Sequence, residues 1–395
     1  MTGLSLDEFG RSFWGVAPLR RRAAQLPVSG SADLLSLAGV DELLSRRGLR
    51  TPFVRMSKNG DLLPAARFTR GGGAGAEIAD QVADDKVLAE FSAGATLVLQ
   101  GLHRMWPPIQ DFAAALATQL GHPVQVNAYV TPPQNTGFAP HYDTHDVFVL
   151  QFAGRKSWRI HEPVWPLPLL NQPWQERKAA VAERSAQAPL IEEVLEPGDA
   201  LYLPRGFLHA ATALGEVSGH LTIGVHPITR RALADQVLAT LGADLELRRA
   251  LPLGTDLANQ VAIDAELDAT ITALHHAIDR CDRAAVARGI GRHLAKATRP
   301  VPLRPLEQLS AAQALASDRP VRLRAGLRFA TRIEAECFVI ELPDKDVRVP
   351  ASSVEAAQLA TSGAVVNAEA LPGVDTETGL LLLSQLLREG IVVPA

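Results

Sequence analysis

Between residues 122 and 226 the chain is a succession of short apolar segments interrupted by Pro and Gly, and this texture limits the available folds more than any other feature. The segments "VQVNAYV", "DVFVLQFAGRKSWRIHE", "IEEVLEPGDALYLPRG" and "HLTIGVH" are rich in Val, Ile, Phe and Tyr. Closely spaced runs of β-branched and aromatic residues, bounded by turn residues, predict an all-β barrel or sandwich.

Both flanks read differently. Residues 1–120 mix helix and strand signals, among them "IQDFAAALATQLG" at 109–121, which predicts a helix stopped by Gly121. After His226 the strand signals end. In "AIDAELDATITALHHAIDRCDRA" the residues Ile263, Leu267, Ile271, Leu274, Ile278 and Cys281 recur every three or four positions, an apolar stripe along one helical face. Such a stripe needs a cover, which is either the chain's own barrel or a second copy of the chain. The proline-rich "ATRPVPLRPLEQLS" at 297–310 reads as a linker. Beyond it, mixed strands and a helix running into a short strand suggest a winged-helix-like module.

A length of 395 residues exceeds what one core usually supports, so several domains are expected. We place them at 1–227, 228–296 and 297–395. The net charge of -4 gives no sign of a polyanion-binding surface, and residues 300–395 carry nine Lys and Arg against twelve Asp and Glu. Duplex binding needs a basic surplus to displace counterions, so the last module is expected to contact protein and not DNA. The two cysteines, Cys281 and Cys337, form no CxxC pair, which argues against a disulfide framework or zinc knuckle. The start, "MTGLSLDEFGRSFWG", lacks the basic and apolar regions of a signal peptide, and no apolar run reaches the roughly 18–20 residues of a membrane span. A soluble cytoplasmic protein is expected.

Within "PHYDTHDVFVLQFAGRKSWRIHEP" at 140–163, His141, Asp143 and His145 alternate and therefore share one face of an extended segment. The segment is either a metal site at a barrel mouth or a polar loop that happens to hold imidazoles. "EPGDALYLPRGFLHAA" supplies a distal partner, His209, after a Pro-Gly-Asp turn and the apolar strand Ala200–Leu203. Two histidines and one carboxylate form a facial set that leaves open positions on octahedral iron. Alternation in "GRKSWRI" puts Lys156, Trp158 and Ile160 on one face. If that face is inward, the ammonium is buried and calls for an anionic ligand; otherwise Lys156 reaches water at a hairpin end. Gln125, Asn127 and Tyr129 make a polar row by the same alternation. His145, His220 and His226 compete with His209 for a metal, and "RRR" at 20–22 reads as a solvated face.

Together, "HYD" followed by Lys156, "PGDALYLPRGFLHAA", "NAYVTPP" and "FWGVAPLRRRA" resemble the JmjC-type 2-oxoglutarate oxygenases, in particular the cupin-like ribosomal oxygenase branch. The resemblance spans nearly the whole chain. It implies a mainly β fold with α elements: a double-stranded β-helix (cupin/JmjC barrel), then a helical dimerisation domain and a C-terminal winged-helix-like domain. It further implies His141, Asp143 and His209 as Fe(II) ligands and Lys156 as the partner of the distal carboxylate of 2-oxoglutarate. Asn127 and Thr222 complete the implied co-substrate shell. The implied activity is hydroxylation of a protein side chain, an arginine or histidine of a ribosomal protein, by a homodimer. A hydroxylase of a small metabolite, amino acid or biosynthetic peptide is the rival in the same class, and a catalytically silent cupin-type binding module the rival in another.

Overall fold

A computed structural model describes the chain except residues 1, 27–30, 59 and 76. The polypeptide divides into two compact units, Met1–Pro227 and Ile228–Ala395.

The first unit holds strands β1 (Leu19–Arg21), β2 (Val54–Lys58), β3 (Asp61–Leu62), β4 (Thr69–Arg70), β5 (Gln81–Val82) and β6 (Thr96–Leu99). These are followed by β7 (Val124–Thr131), β8 (Asp146–His161), β9 (Ile191–Leu195), β10 (Ala200–Leu203) and β11 (Leu208–Val225). Nine of them form one antiparallel sheet in the order β1-β10-β8-β11-β7-β6-β2-β3, with β9 added on β8. The two longest strands, β8 and β11, make it a barrel. They pair over two stretches, Arg155–His161 with Leu208–Leu214 and Asp146–Ala153 with Gly219–Val225, separated by shifts in register. At this break Gly154 adopts φ +55°, and a Cβ there would collide with the Val217 carbonyl oxygen. Only glycine takes that conformation at low cost, so the ribbon folds over on itself here.

Folding the ribbon gives it two partners and two faces. One stretch carries β9, while the other lies between β10 and β7. Val147 and Val149 from one stretch and Trp158 and Ile160 from the other pack together inside with Leu195 of β9 and Leu201 and Leu203 of β10. Phe148, Leu150 and Phe152 point the other way into a second core. A strand covered on both faces reads as a continuous apolar run, which is why Val147-Phe148-Val149-Leu150 shows no alternation. Helix Pro107–Leu120, with proline at its first turn and Gly121 at φ 69° as its cap, buries Ile109, Ala113 and Leu116 against that second core. Leu19–Arg21 is not a solvated face but pairs with β10, and Arg22 bonds Asp199 at 2.7 Å, because the carboxylate of the Pro-Gly-Asp turn needs a counter-charge where the strands meet.

The second unit begins with helices at Arg230–Leu241, Gln260–Asp279 and Arg283–Ala297. The middle one buries only Ala277, and its stripe residues Leu267, Ile271 and Ile278 are 49, 41 and 42% exposed in the single chain. Cys281 lies just past its end. The proline-rich segment read as a linker is half helix, since Pro305 starts a helix over Pro305–Gln313 in the one position where a missing N–H costs nothing. The remainder builds a core of its own from Phe338, Ile340 and Val349 on a three-stranded antiparallel sheet (Ala330–Ile333, Cys337–Glu341, Asp346–Pro350) and Leu382, Leu383, Leu386 and Leu387 of helix Thr376–Arg388. The closing strand Val392–Pro394 pairs with Val321–Leu323. Among the described residues no helix is long and apolar enough to cross a membrane.

Candidate metal centre

Backbone pairing places the first two candidate ligands. His141, just before β8, and His209, at the start of β11, exchange both backbone hydrogen bonds, at 3.3 and 2.8 Å, and their ring centroids lie 4.5 Å apart. Two residues beyond His141 the alternation returns Asp143 to the same face, where its carbonyl accepts from the Gly206 N–H at 3.0 Å. Asp143 Oδ2 and His209 Nε2 are 3.7 Å apart. One ligand atom from each of His141, Asp143 and His209 falls within 4.8 Å of the others.

The hydrogen bonds of the rings decide what these atoms can do. His141 Nδ1 lies 2.7 Å from the Ala139 carbonyl and His209 Nδ1 3.1 Å from the Phe207 carbonyl. A carbonyl only accepts, so in each neutral ring Nδ1 carries the proton and Nε2 keeps its lone pair, as metal-ligating histidines do. Burial, then the neighbouring His141, pull His209 down to about 4 against the opposing effect of Asp143. Burial pushes Asp143 up, but His145, His209, His141 and His226 outweigh it and hold the carboxyl below its usual range. The set therefore offers an ionised carboxylate at Asp143 and an imidazole lone pair at His209 at neutral pH. It fits a divalent ion held by three protein groups with further positions open.

These groups line a cavity of about 150 Å3 whose wall also includes Lys156, Tyr129, Thr131, Trp158, His220 and Thr222. Of the two orientations open to Lys156, the structure has the inward one: it is 2% exposed. Its Nζ donates to Thr131 Oγ1 at 3.0 Å and approaches His220 Nδ1 at 3.3 Å. Among the described residues no carboxylate forms an ion pair with it. Desolvation pulls the ammonium down to about 7. Such a group is costly to bury unless a ligand brings the opposite charge.

The remaining candidates separate cleanly. Thr222 lines the cavity. Asn127 does not: its Oδ1 accepts from the Gly101 N–H at 3.0 Å, and it touches the site only through a hydrogen bond toward Tyr129. The polar row on β7 is real, but barrel curvature turns its members to different neighbours. His145 and His226 form a pair of their own, with centroids 4.9 Å apart and His145 Nε2 3.3 Å from Gln125 Nε2. Neither joins the three converging ligand atoms, nor does His220. Thr131 and Arg55 line the cavity without having been singled out from the sequence. Alternation from Tyr129 points to Thr131; nothing local marks Arg55, which arrives from β2 through two intervening strand pairings.

Residues 104–233 match the family model described as JmjC domain. Over these residues the fold is that of a JmjC domain. The chain is 32% identical over 257 residues to human ribosomal oxygenase 1, covering 62% of this chain and 37% of that protein. Over 264 residues it is 30% identical to a bifunctional lysine-specific demethylase and histidyl-hydroxylase NO66 of Drosophila grimshawi, covering 64% and 34%. The chain thus spans about a third of the length of these curated relatives. Among solved structures it resembles the Escherichia coli ribosomal oxygenase YcfD, with a TM-score of 0.54 at 18% identity over 99% of this chain and 98% of that one. A further YcfD structure, in complex with cobalt and 2-oxoglutarate, matches with the same TM-score at 17% identity over 99 and 98%. The barrel therefore has a JmjC/cupin fold like that of YcfD.

Proposed function

We propose that this protein is an Fe(II)- and 2-oxoglutarate-dependent oxygenase that adds one oxygen atom to a protein side chain, an arginine or histidine of a ribosomal protein. One observation carries the reading: a three-ligand metal set and a buried lysine without an acidic partner face the same cavity. His141, Asp143 and His209 hold the metal through Nε2, Oδ and Nε2. The chemistry that Fe(II) and 2-oxoglutarate supply when bound is insertion of one oxygen atom of O2 into a C–H bond, the other going to succinate with release of carbon dioxide. Lys156 would hold the distal carboxylate and so select a co-substrate of matching length. Thr222 contributes a hydroxyl to the same wall, and Asn127 positions Tyr129. Barrel walls of Val147, Val149 and Trp158 exclude water from the space between.

A binding module without chemistry has no physical need for converging imidazole lone pairs and an unpaired buried ammonium. Relatives named as ribosomal oxygenases support the macromolecular substrate. We divide the second unit into a helical part, 228–296, whose exposed Leu267, Ile271 and Ile278 hold a homodimer in the cytoplasm, and a winged-helix-like part, 297–395. The acidic balance of the latter favours protein over DNA. The test compares ribosomal proteins from the native host with and without the gene. A shift of about +16 Da on one peptide, absent in the deletion strain, is the expected result. Unchanged ribosomal masses together with turnover of a free amino acid or short peptide would move the protein to the small-molecule class.

A further inference from the structure

Outside the ligand set, His220 has an unusual partner. It is buried, and its Nδ1 lies 3.3 Å from Lys156 Nζ. A lysine ammonium has only protons to offer, so His220 accepts at Nδ1 and carries its own proton on Nε2. Its ring cannot turn away. Tyr129 stacks on it at 5.2 Å and an interplanar angle of 6°, and Trp158 meets it at 5.2 Å and 80°. Burial and the adjacent Lys156 hold the imidazole neutral, well below its ordinary pKa.

The pairing depends on the folded ribbon. By register His220 sits opposite Gln151 and Lys156 opposite Ala213, so in a straight ribbon the two side chains would be far apart. The fold at Gly154 brings them together. With Thr131 Oγ1 accepting a second bond at 3.0 Å, two of the three ammonium protons have fixed destinations inside the protein. The direction of the third is thereby set.

We infer that His220 is a positioning residue: with Thr131 it orients the Lys156 ammonium so that its remaining proton is presented to the distal carboxylate of a bound five-carbon dicarboxylate. This rests on the co-substrate reading above. The inference makes His220 matter only to ligands that possess that carboxylate. The probes are 2-oxoglutarate and 2-oxopentanoate, which share the metal-binding end and differ in a carboxylate against a methyl group. Both are titrated calorimetrically into Mn(II)-loaded protein under anaerobic conditions.

In the wild type 2-oxoglutarate binds more tightly than 2-oxopentanoate. His220→Phe keeps the stacked ring and loses the acceptor; it is expected to weaken 2-oxoglutarate about tenfold, the scale of one charge-assisted hydrogen bond, and to leave 2-oxopentanoate unchanged. Thr131→Val gives the same ligand-selective loss. His220→Asn, which restores an acceptor near the Nδ1 position, recovers most of the affinity. An equal loss for both ligands, or no loss for either, overturns the positioning role. If the wild type itself fails to distinguish the two ligands, the co-substrate reading fails and His220 has no carboxylate to serve; if only the variants are without effect, that reading stands and the role of His220 alone falls.

Discussion

On the proposed function the buried lysine makes co-substrate binding a proton-linked event, and pH is the perturbation that exposes it. Burial lowers Lys156 from its ordinary value of 10.5 to about 7, which amounts to about 5 kcal/mol for keeping the charged form inside. The folded pKa lies below the unfolded one. Between pH 7 and about 10.5 the unfolded chain therefore holds more protons, and stability of the ligand-free protein rises with pH across that window. A dicarboxylate reverses the local balance by supplying the counter-charge, so binding above pH 7 draws in a proton. The groups around Lys156 do not compete for it. His220 is held neutral, Tyr129 is pushed up to about 12, and Thr131 does not titrate. The charged fraction of free Lys156 is about a half at pH 7 and about a tenth at pH 8, so the affinity for 2-oxoglutarate should fall up to about tenfold per unit above neutrality, with close to one proton taken up per ligand. Calorimetric titration of metal-saturated protein, in buffers of different ionisation enthalpy between pH 6.5 and about 9, reads both quantities. Lys156→Met should abolish the slope. A wild-type affinity flat across this range, or a slope that survives in Lys156→Met, refutes the argument.

Asp143→Ala should abolish Mn(II) binding by electron paramagnetic resonance and all 2-oxoglutarate turnover, yet shift the thermal midpoint little, because the side chain is 31% exposed and leaves no core cavity. His145→Ala should retain the metal, since His145 pairs with His226 and Gln125 outside the ligand set; loss of Mn(II) as complete as in Asp143→Ala would redraw that set. Lys156→Ala should weaken 2-oxoglutarate by about ten- to a hundredfold, the equivalent of about 1.5–3 kcal/mol, with metal affinity unchanged. Glutamate at Leu267 and Leu274 should convert dimers to monomers in light scattering, and a wild type already monomeric at micromolar concentration would show that the stripe is no interface.

How much of this was readable in the sequence depended on whether a residue's role is local. His141 and Asp143 are two positions apart on one extended segment, so period-two alternation alone places them together. His209 could be proposed because a turn, an apolar strand and a second turn return the chain to the same end of the barrel. The helix ending at Gly121 and the strands from Val124 to Val225 follow from local composition. Asn127 is less legible for the opposite reason: alternation gives the face of a strand but not which neighbour the curved sheet brings up, and here that neighbour is the backbone of Gly101. The "RRR" run is not legible locally, because its strand partner β10 lies far along the chain and the carboxylate of Asp199 that draws Arg22 in arrives with it. His220 looked like a rival ligand, since nothing in "HLTIG" shows that β11 folds over at its middle.

That fold links the two ends of the site. The candidate metal ligands sit at the open end of the β8–β11 ribbon, with His141 and Asp143 leading into β8 and His209 opening β11. The ammonium and its two acceptors belong to the interior, on β8, β11 and the adjoining β7. A single pair of strands, pinned at Gly154 and filled beneath by Trp158, Val147 and Val149, therefore sets the separation between cation and metal. Close-packed interiors resist such spacing changes, since shifting one strand moves every contact on both of its faces. On the proposed function a ligand must then match the gap in length and carry an acceptor at each end, so this barrel should favour a short dicarboxylate over a longer or uncharged keto acid.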